Sequence, residues 1–596
     1  MSNSALYLRA AEDLRENAEQ WEAYNSEGHC VVLAGPGSGK TKTLTIKLAR
    51  MLAEDVEEPR GLACITYNNE CARELETRLA TLGVEPGPRA FIGTVHSFSL
   101  TQVVLPYAKS ARLGLPANFK VATQNERRTA LERAHRRVVG GPGNPQDWDV
   151  RMGRYRRSIL NRQTQQWRNE DPELARLVEE FESELRNMSL IDFDDMPLLA
   201  VKALRENEWL QRALLAKFPV LVVDEYQDLG AALHRMVLGL CFSTGMRLFA
   251  VGDVDQSIYG FTGAHPELLQ QVSERADVQT VRLRFNYRCG SRIVTASEYA
   301  LGEERGYQAP EGASLGAIYF HPRHQGDFGQ QADYLFATVF PQMIERHPDI
   351  KIGDIAILYP AAWIGDAIVA SAQNHGFGTI RADTNALFPR SSKLMRWLES
   401  CALWCCGGWR SGKPRFSQVL NDGRRIFSEV LVSEEERLAF QRTLTSFLWT
   451  NRDQHQLVNA WLHGLLNNNV SELLARCRTN SDEAATLSAF MQRTGQGGDS
   501  SFMTLGDFAR DGEGGDRINL STLHSAKGRE FKIVILFAMD DGRIPRQNAR
   551  PAEVREARRL FYVGFTRPKE ELHIVYTGAR ASPFVVEVER RIRDEL

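Results

Sequence analysis

Leu33-Ala34-Gly35-Pro36-Gly37-Ser38-Gly39-Lys40-Thr41 decides the reading of this chain. An apolar run, Cys30 to Leu33, leads into it, and a helical pattern, Thr43 to Leu52, follows. Strand, glycine-rich turn and helix start are together the context of a phosphate-binding loop. Gly35, Gly37 and Gly39, with Ser38 among them, let backbone N–H groups curl around phosphate oxygens, and the helix N-terminus adds a favourable dipole. Lys40 reaches toward the β- and γ-phosphates of a nucleotide, and the Thr41 hydroxyl suits Mg²⁺. Ala34 stands where the strictest pattern has glycine.

A second signal completes the first. The apolar run Val220 to Val223 delivers Asp224-Glu225-Tyr226-Gln227-Asp228. A buried strand ending in adjacent carboxylates is the natural partner of a phosphate loop. Asp224 is placed to hold Mg²⁺, directly or through water, and Glu225 to polarise the water that attacks the γ-phosphate. A nearby cation relieves the repulsion between the two acids.

At 596 residues the chain exceeds one core, and several domains of ~100–200 residues are expected. Its composition, 25% charged and 43% hydrophobic, is that of an ordinary globular protein. A net charge of −2 gives no overall attraction for nucleic acid, although a local groove can be basic within a neutral whole. No apolar run approaches the ~20 residues of a membrane span, and no secretory pattern opens the chain. Nine cysteines in so long a chain suggest a reducing compartment, and the cytoplasm is the expected location. Cys401, Cys405 and Cys406 cluster without a second pair at metal spacing, so buried thiols are expected.

Other stretches leave alternatives open. Ala5 to Tyr24 reads as one helix, in which Gln20 either reads an adenine edge or is simply exposed. Thr66 and Tyr67 end an apolar strand, Leu62 to Ile65, and Phe91 to Phe98 contains His96. Such strand ends of an α/β sheet are where ligands bind, and aromatics beside hydroxyls suit a single strand. Tyr67 and Phe98 are equally readable as core aromatics. Between Thr101 and Lys217 the chain is helical and rich in arginine, from Arg127 and Arg128 through Arg156 and Arg157 to Arg162. That run reads as a solvated face or as a phosphate-tracking patch. Asp192-Phe193-Asp194-Asp195 raises a metal question, but capping or structural polarity fits its spacing better. Trp397, Trp404, Trp409, Trp449 and Trp461 read as core rather than as a nucleic-acid platform.

Further stretches complete a series: Gly252-Asp253-Val254-Asp255-Gln256-Ser257-Ile258-Tyr259-Gly260-Phe261, Leu283 to Arg288, Leu520 to Phe531 and Arg558 to Arg567. In order and content the series resembles the UvrD/Rep/PcrA-type superfamily 1 DNA helicases, from about Asn17 to Leu572. The resemblance implies an α/β fold with two RecA-like P-loop NTPase motor domains, each carrying a mostly helical insert. The implied boundaries are 1–100 and 218–288 for motor 1A, 101–217 for insert 1B, 289–385 and 503–596 for motor 2A, and 386–502 for a short insert 2B. It implies an ATP- and Mg²⁺-dependent helicase or translocase moving 3′→5′ on single-stranded DNA and meeting duplex junctions or DNA ends. Gln20 matches the adenine reader, Tyr287 its stacking aromatic and Glu530 the ribose carboxylate. Lys42 stands beside the phosphate loop where many members carry arginine. Gln256 matches the γ-phosphate sensor, and Arg288 and Arg567 match the paired arginine fingers. Thr66, Tyr67, His96, Tyr259, Phe261 and His524 fall where the family lays DNA.

Thr262 replaces a usual arginine and Arg529 a usual leucine. The segment Phe91 to Phe119 also resembles the helicase-like B subunit of Gabija anti-phage systems. That likeness implies a second reading: an ATP-hydrolysing DNA-end sensor in an antiviral complex, with an OLD-like nuclease subunit of the Gabija A type docked on the first insert. A DNA-independent metabolic ATPase is disfavoured by the paired arginines and the aromatic positions.

Overall fold

The computed structural model describes residues 4–66, 68–84, 87–260, 265–323, 327–384, 386–389, 391–498, 500–510 and 517–594. Tyr67, Phe261 and Thr262 lie outside them. The chain folds as two compact units, Met1–Gly316 with Ala549–Tyr562, and Ala317–Asn548 with Val563–Leu596.

The first unit is built on six parallel strands: β1 (His29–Ala34), β2 (Leu62–Thr66), β3 (Ala90–Thr94), β6 (Val220–Val223), β7 (Arg247–Gly252) and β8 (Val278–Leu283). Their order is β3-β2-β6-β7-β1-β8. Strands β4 (Lys120–Val121) and β5 (Leu190–Ile191) form a separate small pair. Continuous apolar runs such as Val220–Val223 are needed because helices cover both faces of a parallel sheet. The two-residue period then sorts the side chains. Val31, Ala63, Ile65, Leu221 and Val223 enter one core. Cys30, Val32, Leu62, Cys64, Val220 and Val222 enter the other, with Leu44 and Leu48 of the helix Lys40–Arg50. Phe98 is fully buried against Phe91 and Phe218, so the core reading holds for it.

The second unit repeats the plan with β9 (Ala317–Arg323), β10 (Ile355–Tyr359), β11 (Gly378–Arg381), β12 (Arg517–Thr522), β13 (Phe531–Leu536) and β14 (Pro568–Thr577). All pairs are parallel, in the order β11-β12-β10-β13-β14-β9. A helical subdomain within this unit has its own core, in which Trp397, Trp404 and Trp461 are buried with Cys401 and Cys405. Trp449 is the exception, half exposed beneath the Arg452 guanidinium. All nine cysteines are free. Among the described residues no helix is long and apolar enough to cross a membrane.

One expectation needs correction and another holds only in part. Ala5 to Tyr24 is not one helix but two, Ser4–Glu12 and Ala18–Asn25. Asn17 breaks the run by capping the second helix, its side chain accepting from the Gln20 N–H at 3.0 Å. The arginine run of the first helical insert divides: Arg128, Arg133, Arg136, Arg137, Arg151 and Arg154 are exposed, as on a solvated face, while Arg127, Arg156, Arg157 and Arg162 turn toward acids. Arg156 is wholly buried and donates to Asp192 (2.7 and 3.0 Å), Asp195 (2.9 Å) and Glu182 (2.9 Å). Arg127 pairs with Asp149, Arg157 with Asp194, Arg162 with Glu182 and Arg186 with Asp195. Asp192 and Asp195 also cap each other, each carboxylate accepting the other's backbone N–H at 2.9–3.0 Å. The acidic stretch is therefore the counter-charge that the arginines need.

Burial works to raise the Asp192 pKa, and Arg156 more than reverses this, holding the carboxyl at about 2 against 3.8. Because the folded value is depressed, this stabilisation is complete above the unfolded value and is lost as pH falls through about 2. Arg156→Met should destabilise the first insert by ~3–5 kcal/mol, because it strands buried carboxylates. Urea unfolding followed by hydrogen exchange over residues 124–206 measures this. Adding Asp192→Asn should recover part of the loss, whereas an unchanged midpoint in Arg156→Met would refute the account.

Candidate nucleotide and nucleic-acid site

The carboxyl ends of the first sheet gather most of the motif residues. After β1 the chain turns through Gly37 and Gly39, whose φ values of 69° and 78° suit glycine. Space forbids side chains here as firmly as backbone does. A Cβ on Gly35 would sit 2.3 Å from Tyr307, on Gly37 2.4 Å from the Asn286 amide oxygen, and on Gly39 2.5 Å from the Gln20 amide nitrogen. Gln20 is buried, and its Nε2 donates to the Ser38 carbonyl at 2.8 Å, while Ser38 Oγ donates to the Gly35 carbonyl at 2.8 Å. The helix break at Asn17 thus sets Gln20 on the loop itself.

On the other side, the Tyr287 N–H donates to the Gly37 carbonyl at 2.9 Å, and Asn17 donates to the Tyr287 hydroxyl at 2.9 Å. The Tyr287 ring is 51% exposed, which leaves it open to a planar ligand. Arg288 follows at once, its N–H held by Asn286 Oδ1 at 2.8 Å. Lys42 is on the surface near Asp13, at 3.7 Å. Thr41 lies in the first turn of the helix beside Lys40.

Lys40 is ion-paired to Glu225. Burial works to lower the Lys40 pKa, but the Glu225 and Asp224 carboxylates outweigh it and hold the ammonium charged. Glu225 sits at φ 51°, a left-handed conformation uncommon for a side-chain residue. Asp224 is buried at the end of β6, and its carboxyl is pushed up to about 7 by that burial and by Glu225. Lys40 thus faces both carboxylates, and the raised Asp224 carboxyl is of the kind a divalent cation could hold ionised. Thr41 and Asp224 supply the hard oxygen donors that Mg²⁺ takes.

Sequence reasoning quoted Gln227 without giving it a role, yet it links the site's parts. Its Nε2 donates to Glu225 at 2.5 Å, and its Oε1 accepts from the Asp253 N–H at 2.9 Å. Asp253 in turn accepts from the Gln256 amide at 2.6 Å and from the Asp255 N–H at 2.9 Å. Asp255 is clamped by Arg305 through two bonds of 2.7 and 2.8 Å. Tyr307 and Arg305 carry no pattern that a sequence exposes, and Asn286 lies within the quoted stretch Leu283 to Arg288 without a role of its own.

Of the nucleic-acid positions in this unit, Tyr259 is half buried. Thr66 is fully buried, its hydroxyl donating to the Asn68 carbonyl at 2.9 Å. The His96 ring lies 4.7 Å from Phe193, and burial lowers its pKa. Phe193 itself is 61% exposed between two acids, and charge had hidden it as an aromatic candidate. The second unit holds Glu530, paired with Lys569 at 2.7 Å, and Arg567, whose buried guanidinium donates to the Val563 carbonyl at 2.8 Å. His524 follows β12, half buried, its pKa lowered by that burial and by Arg546.

Residues 16–277 match the UvrD/REP helicase N-terminal domain, and residues 463–579 match the UvrD-like helicase C-terminal domain. The chain is 26% identical to the ATP-dependent DNA helicase Rep of Escherichia coli, over 91% of this chain and 88% of that protein. It is 24% identical to the ATP-dependent DNA helicase PcrA of Leuconostoc citreum, over 95% and 82%. It is also 24% identical to UvrD1 of Mycobacterium bovis, over 95% and 82%. With both family domains matched in order around the phosphate-loop site, the chain belongs to the UvrD/Rep helicase family.

Proposed function

We propose that this chain, an ATP-dependent DNA helicase, couples ATP hydrolysis to 3′→5′ movement along single-stranded DNA in the cytoplasm, acting at junctions with duplex or at DNA ends. The observation that carries the reading is the Lys40–Glu225 pair at the mouth of the phosphate loop. An arriving triphosphate offers Lys40 a stronger partner, and Glu225 is then released to accept a proton from the attacking water. Gln227 keeps the other Glu225 oxygen oriented and ties it to the Asp253–Gln256 turn, so the state of the γ-phosphate can be passed toward Tyr259. Bound Mg²⁺ supplies charge neutralisation on the β- and γ-phosphates.

Gln20 and Tyr287 read the base and Glu530 the ribose, and Arg288 and Arg567 stabilise charge that develops in the transition state. Single-stranded DNA is gripped through Tyr259, Phe261, His96, His524 and Phe193, which stack on bases without reading sequence. The end-sensor reading with a nuclease subunit draws on Phe91 to Phe119. In the structure Phe98, Val103 and Val104 of that segment are core residues, with Leu115 and Phe119 packed against them. Core packing accounts for these residues without a partner, so the helicase reading is the one carried forward.

Glu225→Gln should lower ATP hydrolysis by ~10²-fold or more while nucleotide still binds, whereas Lys40→Ala should weaken binding as well. Steady-state hydrolysis and nucleotide titration measure both, and near wild-type turnover by Glu225→Gln would remove its role. Because burial and Glu225 push the Asp224 carboxyl up to about 7, Mg²⁺ would compete with its proton at lower pH. A raised carboxyl stabilises the fold in its protonated form, a contribution lost as pH rises through that value. Mg²⁺-dependent nucleotide affinity should therefore climb from pH about 6 to about 8 and then level off. Asp224→Asn should flatten the curve in a calorimetric titration. Phe193→Ala and Tyr259→Ala should each weaken single-strand binding by ~1–3 kcal/mol. Anisotropy with homopolymers of different base would detect this, and a loss confined to one base would contradict sequence-blind stacking.

A further inference from the structure

We infer that Lys47 and Arg50, two cations on the phosphate-loop helix, form a clamp that positions Gln20 and so sets the preference for adenine over other base edges. The inference rests on the proposed reading of Gln20 and adds two positioning residues, which act through that side chain rather than on the nucleotide.

Lys47 is wholly buried, which is costly for a lysine unless acceptors meet its ammonium. Its Nζ donates to the Tyr24 carbonyl at 2.7 Å and to the Ser26 carbonyl at 2.6 Å. Arg50 lies three residues on, on the same face of the helix Lys40–Arg50. It donates to the Tyr24 carbonyl at 3.0 Å and to Asn25 Oδ1 at 3.2 Å, and its guanidinium lies over the Tyr24 ring at 5.0 Å. Both cations thus meet the carboxyl end of the helix Ala18–Asn25, where terminal carbonyls and the helix dipole favour positive charge. Burial, helped by Arg247 and Arg50 against Asp55, draws the Lys47 pKa down to about 8, which leaves the ammonium charged at neutral pH.

The clamped helix carries the adenine reader at its other end. Asn17 caps its start, and Gln20 Nε2 donates to the Ser38 carbonyl at 2.8 Å. Its end is held by the helix that begins at Lys40, so Gln20 and the phosphate loop are referred to one rigid element. Ala23 shares a core with Leu44 and Leu48 of that helix. Apolar packing is non-directional and fixes no single register, whereas charge-assisted hydrogen bonds do. A methionine would fill much of the same space and bury no charge, so packing alone does not call for an ammonium here.

The register matters because of what is left on Gln20. A glutamine amide has two N–H groups and one oxygen. With one N–H given to Ser38, the other and the oxygen match N7 and the 6-amino group of adenine. Two bonds to one base edge need placement within about 0.5 Å, which the clamp supplies from outside the loop.

The test uses the full chain with ATP and with 7-deaza-ATP, which lacks the ring nitrogen that the Gln20 amide would meet. Lys47→Met should raise the KM for ATP by about 5-fold or more, the scale of hydrogen bonds lost at a base edge, while kcat at saturation stays within about 2-fold. The KM for 7-deaza-ATP should rise less, so the preference between the two narrows. Arg50→Met, at a less deeply buried position, should act in the same direction more weakly, and it reports on the clamp even where Lys47→Met does not fold. In a Gln20→Ala background neither substitution should add to the KM for ATP. An unchanged preference in both variants, equal rises for the two nucleotides, a matching fall in kcat, or full additivity with Gln20→Ala overturns the clamp. If Gln20→Ala itself leaves the preference as in wild type, the adenine reading of Gln20 falls, and the clamp with it.

Discussion

Two adjacent carboxylates at the end of a buried strand, with Lys40 paired to one of them, set the terms for the first unit. Burial and the neighbouring Glu225 push the Asp224 carboxyl up to about 7, against the pull of Lys40. On the proposed reading, a nucleotide arriving with a divalent ion would change these partners at once. The glycine turn, the packed Gln20 and Asn286, and the left-handed backbone at Glu225 all hold this arrangement in register.

From that centre the hydrogen bonds run outward through few hands. Gln227 touches Glu225 with one end of its amide and the Asp253 backbone with the other, so neither can shift without the amide following. Asp253 then fixes Gln256, while Arg305 holds the turn through Asp255. In a low local dielectric each of these hydrogen bonds is strong and polarises the next, which makes the run of polar groups rigid. It also joins the end of β6 to the end of β7, two neighbouring strands, so the sheet itself is the frame against which the relay moves.

Where the sequence was legible, local chemistry and period coincided. The phosphate loop, the Val220 to Glu225 strand end and the parallel α/β plan combine a hydrophobic run with residues that have one chemical use. Gln20 was ambiguous because its role depends on Asn17 ending one helix and starting another, a cap rather than a period. Tyr307 and Arg305 act through contacts with residues far away in the chain, and nothing in their neighbours marks them. The arginine run is legible only in part, because its inward members Arg127, Arg156 and Arg162 are marked by distant acids. Its counter-charges at Asp149, Glu182 and Asp192 to Asp195 lie tens of residues on, so a window that sees only the arginines sees a basic face. Phe193 was hidden by the same acids.

The two sheets show how one fold carries two kinds of work. Both present six parallel strands, and both use close-packed glycines where backbone meets side chain, at Gly37 in one and at Gly365 in the other. In the first, the edge is furnished with carboxylates, a lysine and backbone amides, which suit phosphate chemistry. In the second, the corresponding edge carries Trp363, His524 and the arginines Arg543 and Arg546 instead. On the proposed reading, this division of side chains suits each edge to its work: an ion pair that a triphosphate can take over at the first, and rings that stack on a base of any sequence at a modest cost at the second.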